Sequence, residues 1–518
     1  EGFATYFELL WDEEHLGVDH YRQGVMVNAE AYFGEADSRY KRPIVTNIYN
    51  APIDIFDRHL YEKGSLVLHT LRGVLGDDQF FRSLQRYCRE NQERSVVTQD
   101  LVAAIEAETG RNLDWFFDQW VYKPGHPEFK VSWSWDDDTK VASVNVKQTQ
   151  KREKDVGLFR APVTIDFRVG RGRPQPFRVD VTEAEHTFYF ALPAKPDLCR
   201  FDPYNWTLKR LEFERSTAEL RFQIAQDDDI SGRIAAAEAL GKKGGPEAVK
   251  ALTAALAGDR FWAVQAAAAK ALGAIRTDEA RDGLMANLAV RHPKARRAVV
   301  AALGEFRGDE SVLTALAPLT RRDLSWFVEA EANRSTGKLR LPGSFDVLAA
   351  NIGRSSHLEV VRNACLDGLV ELRDERGLDL ITANARYGAP ARSRPVALGA
   401  AARLANHFEH RKKALAEELV PYLDDPDFRV RIAAANGLKT LKDPDYASQV
   451  ERMADRELDG RGIRVAREAA SALRKGRDTT DEVKKLRDQF EELREENAKL
   501  RNRLEKVESA RKPAARKG

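Results

Sequence analysis

The chain lacks the features that mark several large classes of protein. Its three cysteines, Cys88, Cys199 and Cys365, lie far apart and form neither a metal-binding nor a redox spacing, which argues against a disulfide scaffold. No apolar run approaches about 18 residues, so no membrane span is predicted. Neither sign of charge dominates, since 83 basic and 81 acidic residues leave a net charge of +2. The sequence therefore gives no overall field to attract nucleic acid or an acidic substrate.

The length of 518 residues predicts a multidomain protein, and the pattern of the first part predicts helices. Within residues 1–126, "YEKGSLVLHTLRGVLG" at 61–76 places Leu66, Leu71 and Leu75 near one helical face and ends in a glycine stop signal. "TQDLVAAIEAETG" predicts a second helix, with Thr98 as its N-cap and Gly110 at its end. This region is therefore predicted to be a helical domain.

Residues 127–210 change from a helical period to strict alternation. "FKVSWSW" at 129–135 alternates apolar and polar side chains, and three aspartates at 136–138 supply a turn. "VTIDFRV" at 163–169 and "HTFYFAL" at 186–192 repeat the alternation. The pattern predicts a small antiparallel β-sandwich.

Residues 214–476 consist of alanine-rich helical segments that resemble one another. "RIAAAEALG" at 233–241 is echoed by "VQAAAAKALG" at 264–273, "RRAVVAALG" at 296–304 and "RIAAANGL" at 431–438. Leu-Gly pairs begin at 240, 272 and 303. Such a period is typical of paired helices stacked into an α-solenoid, and the segments resemble short bacterial HEAT repeats, roughly seven or eight of them.

Residues 479–508 show a heptad pattern that predicts a coiled coil. The a and d positions form four successive pairs: Val483/Leu486, Phe490/Leu493, Asn497/Leu500 and Leu504/Val507. An asparagine at an a position favours two parallel strands, so a homodimer is predicted. The alternative is a lone amphipathic helix that folds back on the solenoid. Residues 509–518 are predicted to be a disordered basic tail, with no role in binding nucleic acid.

Three stretches together resemble a known enzyme family. "EGFATYFE" at 1–8, "YEKGSLVLHTL" at 61–71 and "TQDLVAAIEAETGRNLDWFFDQWVYKPGHP" at 98–127 resemble, in order and spacing, the zinc aminopeptidases related to aminopeptidase N. In that family an H-E-x-x-H helix precedes a glutamate in the context N-E-G-F-A, and this glutamate matches Glu1. The tyrosine of the family's Y-x-K-G helix matches Tyr61. The resemblance implies that residues 1–126 are the C-terminal half of a thermolysin-like catalytic domain.

The resemblance also implies a zinc site and a reaction. Two histidines four residues apart and one glutamate hold Zn²⁺ and leave a fourth position for water, whose pKa the metal lowers to about 7. Glu1 is implied as a zinc ligand. Attack on a peptide carbonyl creates an oxyanion, and Tyr61 is implied as its hydrogen-bond donor. The implied function is a zinc-dependent aminopeptidase that removes N-terminal residues from peptides.

The sequence also departs from the family pattern. No H-E-x-x-H occurs among the ten histidines: His15 and His20 are five residues apart, and His407 and His410 lie in the predicted solenoid. The family's G-x-M-E-N segment, which holds the substrate amine, is missing as well. Both motifs would precede Glu1, so we interpret the chain as a truncated part of the enzyme that lacks two zinc ligands and the general base. Alone it is predicted to be inactive.

Two other functions remain open at this stage. The chain could be a non-catalytic HEAT-repeat scaffold that binds proteins, because solenoids mostly present binding surfaces. It could also act like the leukotriene hydrolase branch, which shares "YEKG" and hydrolyses an epoxide. No signal peptide is visible, and the compartment stays unknown.

Overall fold

A computed structural model describes residues 1–49, 51–152, 156–475 and 480–511 of the chain. It is mainly helical, with small sheets, and it divides into two compact units, residues 1–239 and residues 240–518. Among the described residues, no helix combines the length and the apolar character needed to cross a membrane.

The first unit begins with a helical region whose core is rich in aromatic side chains. Helix α1 packs against α2 and α3, and the buried core includes Tyr6, Tyr21, Tyr32, Phe80 and Trp120. Its helices are α1 (Gly2–Leu16), α2 (Val18–Ser38), α3 (Gly64–Leu75), α4 (Asp77–Glu90), α5 (Thr98–Thr109) and α6 (Asp114–Phe117). Shorter segments are a 3₁₀ turn (Pro52–Ile55) and two π-helical turns (His59–Lys63 and Asp118–Tyr122).

The predicted stop signals of this region are confirmed, but one predicted cap is wrong. Helix α3 ends before Gly76, which adopts a φ of +80°, and α5 ends before Gly110, with a φ of +67°. Thr98 is the first residue of α5 and does not cap it. The Asp100 carboxylate instead accepts a hydrogen bond of 2.8 Å from the backbone N–H of Val97. The longer reach of an acidic side chain from the third helical position thus satisfies the helix start.

A sandwich of two small sheets follows. Its strands are β1 (Glu128–Asp136), β2 (Val141–Gln148), β3 (Ala161–Arg168), β4 (Gln175–Val181), β5 (Glu185–Ala191), β6 (Leu198–Phe201) and β7 (Arg210–Phe213). The sheet orders are β5-β2-β1-β7 and β4-β3-β6. The prediction of a wholly antiparallel sandwich is wrong at one edge, because β7 runs parallel to β1 and pairs Leu211 with Phe129. The chain reaches β7 from the other sheet, and such a crossover permits a parallel strand where a hairpin does not.

The first unit ends with α7 (Thr217–Gln226) and most of α8 (Ile230–Lys243), and the second unit continues with stacked helix pairs. The first helices of successive pairs, from α10 to α23, pack side by side, as predicted for a solenoid. The helices are α9 (Pro246–Gly258), α10 (Trp262–Ile275), α11 (Asp278–Met285), α12 (Pro293–Leu303), α13 (Glu310–Leu316), α14 (Leu319–Arg322), α15 (Trp326–Lys338), α16 (Pro342–Asn351), α17 (Val360–Leu372), α18 (Gly377–Ala383), α19 (Arg394–Ala405), α20 (Glu409–Leu419), α21 (Phe428–Leu441), α22 (Ala447–Arg456) and α23 (Gly460–Lys475).

The glycines of the Leu-Gly pairs lie where neighbouring first helices touch. A Cβ added at Gly241 would lie 2.8 Å from the Cβ of Ala271, and one at Gly273 would lie 2.8 Å from the Cβ of Ala302. At Gly304 it would lie 2.8 Å from the side chain of Ser335. The repeated glycine therefore sets the close spacing of the stack.

The last helix, α24 (Thr480–Arg511), contains the predicted heptads. Thr479 and residues 512–518 of the predicted tail lie outside the described residues. The described apolar a and d side chains are exposed, from 49% at Val507 to 63% at Leu486. The pairing of this helix in a coiled coil stays a prediction.

Candidate active site

Glu1 and Tyr61, predicted from two separate motifs, are neighbours in the structure. Glu1 immediately precedes α1, and Tyr61 lies in the π-helical turn that leads into α3. The Glu1 carboxylate lies near the Tyr61 phenol. Partial desolvation and the charge of this carboxylate both raise the pKa of the Tyr61 phenol above its ordinary value. The phenol is therefore a hydrogen-bond donor at neutral pH.

Two glycines bring these groups together. A Cβ on Gly2 would lie 2.8 Å from the Cα of Gly64, and a Cβ on Gly64 would lie 2.9 Å from the Cα of Gly2. Real side chains do not approach backbone so closely, so the start of α1 and the Tyr61 turn touch only because both residues lack a Cβ. Gly2 and Gly64 belong to the "EGFA" and "YEKG" motifs, but spacing alone did not reveal that they meet.

Asp57 anchors the turn that carries Tyr61, and sequence reasoning missed it. Its carboxylate accepts hydrogen bonds from the backbone N–H of His59 (3.1 Å) and of Leu60 (3.0 Å). It also receives Nε (2.7 Å) and Nη2 (2.5 Å) of Arg42. Burial opposes ionisation, yet the Arg42 guanidinium and the backbone donors hold the pKa of Asp57 below its ordinary value. A carboxylate just ahead of a helical turn was the available signal in the sequence.

Glu35, Asp57 and His59 form a group whose potential ligand atoms lie within 4.8 Å of one another. His59 Nδ1 lies 3.2 Å from Glu35 Oε2, but both oxygens of Asp57 are used by Arg42. The wholly buried Lys63 follows in the same turn, and burial lowers the pKa of its amine to about 7. Because two basic side chains adjoin the group, we interpret it as the clamp of the Tyr61 turn rather than as a cation site.

The predicted zinc site is not complete within the described residues. Glu1 provides one carboxylate beside Tyr61, but no histidine pair accompanies it in the described part of the chain. The Nδ1 atom of His15 lies 3.0 Å from the carbonyl oxygen of Trp11 in α1, and that of His20 in α2 lies 3.0 Å from the carbonyl oxygen of Leu16 at the end of α1. In the solenoid, His410 bonds Glu375. These residues alone therefore do not fit a three-ligand zinc site.

A series of buried hydrogen bonds connects α3 to α1 and α2. Tyr6 and Tyr21 share a hydrogen bond of 2.9 Å, and the Tyr21 hydroxyl lies 2.6 Å from His69 Nδ1. His69 Nε2 lies 3.0 Å from the carbonyl oxygen of Asn205. Since a carbonyl can only accept, Nε2 carries the proton, Nδ1 accepts from Tyr21, and Tyr21 accepts from Tyr6. Burial lowers the pKa of His69 to about 3, so the ring is neutral.

Two segments of the chain match models of known protein families. Residues 1–120 match the Peptidase family M1 domain, and residues 218–292 match HEAT repeats. The N-terminal region is thus similar to the domain of peptidase family M1. The resemblance inferred from "EGFA" and "YEKG" is thereby confirmed.

Relatives of this M1 region are longer than the part that matches. Aminopeptidase N of Lactococcus lactis is 37% identical over 114 residues, which is 22% of this chain and 13% of that protein. Aminopeptidase N of Escherichia coli is 23% identical over 202 residues, covering 35% of this chain and 23% of that protein. The chain thus matches less than a quarter of the length of either relative.

A solved structure extends the likeness in fold. The crystal structure of Legionella pneumophila aminopeptidase A in complex with aspartic acid matches 91% of this chain and 62% of its own, with a TM-score of 0.62. The identity is 15%, so this likeness shows the fold alone.

Proposed function

We propose that the chain is part of a zinc-dependent aminopeptidase that removes N-terminal residues from peptides. Glu1 would be one zinc ligand, and Tyr61 would donate a hydrogen bond to the oxyanion formed from the scissile carbonyl. The observation that carries the proposal is the proximity of the Glu1 carboxylate to the Tyr61 phenol, which raises the pKa of the phenol and which the close approach of Gly2 and Gly64 makes possible. A metal ligand and an oxyanion donor must be neighbours if they are to act on the same peptide bond of one substrate.

Each side chain has a chemical task in this proposal. A zinc ion would polarise the carbonyl and activate water. The Tyr61 proton is retained at neutral pH because the pKa of the phenol is raised, so the hydroxyl can stabilise negative charge. Asp57 is a positioning residue, since it fixes the turn without lying beside Glu1 through any described contact. Two histidine ligands and the general base are not among the described residues near Glu1, so the chain alone should be inactive.

Exposed apolar side chains on the segments that carry Glu1 and Tyr61 support this view. Phe7 and Trp11 on α1 are 50% and 55% exposed, and Phe56 is 53% exposed, with its ring 6.1 Å from that of Tyr61. Exposed aromatic groups of this size are typical of a surface that further polypeptide covers. We propose that this polypeptide carries H-E-x-x-H.

The test uses a longer gene product that contains H-E-x-x-H, together with the chain alone. Only the longer product should release aminoacyl chromogenic groups, and a chelator should stop it. Tyr61→Phe should lower kcat by roughly 10² or more and leave the zinc content unchanged, because it removes one oxyanion donor. The control is Tyr189→Phe, since Tyr189 is an exposed residue of β5. Undiminished turnover in Tyr61→Phe would exclude this role.

The same assay separates the remaining alternatives. A longer product without peptidase activity would favour the non-catalytic HEAT scaffold. Hydrolysis of an epoxide without peptidase activity would favour the leukotriene hydrolase branch. The partners in our proposal are a peptide substrate and a second copy bound through residues 479–508, with no nucleic acid.

A further inference from the structure

Helix α24 contacts the stacked helix pairs of the second unit through polar residues on one side. Glu495 forms an ion pair of 2.7 Å with Arg307, in the turn between α12 and α13. The Asn502 Oδ1 atom accepts from the backbone N–H of Asp278, at the start of α11, at 3.5 Å. Arg501 Nη1 lies 3.8 Å from the position of a Cβ at Gly244, in the turn between α8 and α9. All three contacts are with turns that join the two helices of a repeat, and we name this row of turns the turn edge.

Two of these contacts, those of Glu495 and Asn502, are separated by one heptad and by one repeat. With Asn497 at position a, Glu495 and Asn502 are both at position f, seven residues apart. Their contacts, Arg307 and Asp278, lie in successive repeats. Seven helical residues rise about 10.5 Å, close to the spacing of about 8–10 Å between packed helices. Over these two contacts, the rise of one heptad therefore matches the spacing of neighbouring repeats.

The apolar seam of α24 lies away from these contacts. Its described members are the a and d residues Leu486, Phe490, Leu493, Leu500, Leu504 and Val507, all about half exposed or more. Asn497 is also exposed, and its amide nitrogen donates to the carbonyl oxygen of Leu493 on the same helix at 3.3 Å. An apolar row of this regularity, left exposed within the described part of the chain, is suited to pairing with another helix.

We propose that α24 is a two-sided connector. Its f-side holds the turn edge of the first repeats, and its seam receives the α24 helix of a second copy of this chain in parallel. This inference rests on the homodimer of the proposed function and adds that the dimer helix is fixed to the solenoid. In this proposal α24 both folds back on the solenoid and forms a coiled coil with a second copy, because the two contacts use different faces of the helix.

Charge and polarity select a parallel second copy as the occupant. In a parallel pair, position g of one helix faces the next e position of the other, which sets Glu496 against Arg501 of the second copy. An antiparallel pair would place e against e, and the e residues Arg494 and Arg501 would repel one another. Parallel pairing also places the two Asn497 amides in one layer, where each can bond the other.

Cross-linking of the full chain tests the seam. Leu486→Cys is introduced with Cys88→Ser, because Cys88 is exposed whereas Cys199 and Cys365 are buried. A short bismaleimide should then give a covalent dimer. In an antiparallel pair the two introduced thiols would be separated by about 30 Å, and no link would form. Light scattering that reports a monomer, or absence of the link, overturns the dimer part of the proposal.

Charge reversal tests the solenoid contact separately. Glu495→Arg should raise amide exchange in α24 by about tenfold or more and leave the dimer intact, because position f is outside the seam. Adding Arg307→Glu should restore protection. The matched control is Glu492→Arg, at exposed position c. Equal exchange in Glu495→Arg and Glu492→Arg overturns the connector. Neither readout involves peptide hydrolysis, so these outcomes are independent of the peptidase proposal.

Discussion

The two units use glycine in the same physical way for different ends. In the first unit, Gly2 and Gly64 belong to segments 62 residues apart in sequence, and their contact places a carboxylate beside a phenol. In the second unit, Gly241 and Gly273 allow neighbouring helices of the stack to pack closely, and the residues that they contact are alanines. The comparison teaches that close backbone approach is a general device, and that the residues next to the glycine decide whether it serves chemistry or architecture.

The largest expected effect concerns the glycine contact in the first unit. Gly64→Ala should lower the free energy of unfolding by about 3 kcal/mol, because the added Cβ would lie 2.9 Å from the Cα of Gly2, a backbone atom that moves only with α1. It should also separate Tyr61 from Glu1. Denaturant unfolding followed by tryptophan fluorescence measures the loss, since six of the eight tryptophans lie in residues 1–239.

Gly34→Ala is the matched control for this prediction. Gly34 lies on α2, and a Cβ there would meet no atom within 4 Å. Alanine should therefore stabilise α2 by about 0.5–1 kcal/mol through its higher helix propensity. If both substitutions had the same effect, the close approach of Gly2 and Gly64 would have no energetic consequence.

The units also differ in how much the sequence revealed. The heptads of α24 and the Leu-Gly periods depend on neighbours at fixed spacing, so they could be predicted. In the first unit, the motifs identified Glu1 and Tyr61. Their contact, the Asp57 clamp and the parallel strand β7 could not be predicted, because each depends on segments that are distant in sequence.

The next expected effect is a loss of stability of the first unit in acid. Burial lowers the pKa of both His69 and His126 to about 3, from an ordinary value near 6.5. Between these values the unfolded chain binds protons that the folded unit does not, so stability falls as pH falls from about 6.5 towards 3. Each histidine should cost about 2 kcal/mol at pH 5. Asp227, whose pKa burial raises to about 6, acts in the opposite direction and offsets part of the loss.

Hydrogen exchange at pH 7 and pH 5, corrected for the intrinsic rates, measures this loss in each unit of the same sample. Exchange should become faster in α3, which contains His69, and should change less in α21 and α23, where no histidine occurs. Equal destabilisation of these helices would show that the buried histidines do not cause the acid response.

The smallest effect concerns the glycines of the second unit. Gly273→Ala should cost about 2 kcal/mol, because its Cβ would lie 2.8 Å from the Cβ of Ala302 and the neighbouring helix must shift. Solenoid repeats contact mainly their neighbours, so amide exchange should rise in α10 and α12 and stay unchanged in α21 and α23. Gly399→Ala in α19 is the control, since a Cβ there would meet nothing within 4 Å. Faster exchange throughout the stack would mean that the repeats unfold as one cooperative body, and the contact at Gly273 would then not be a local one.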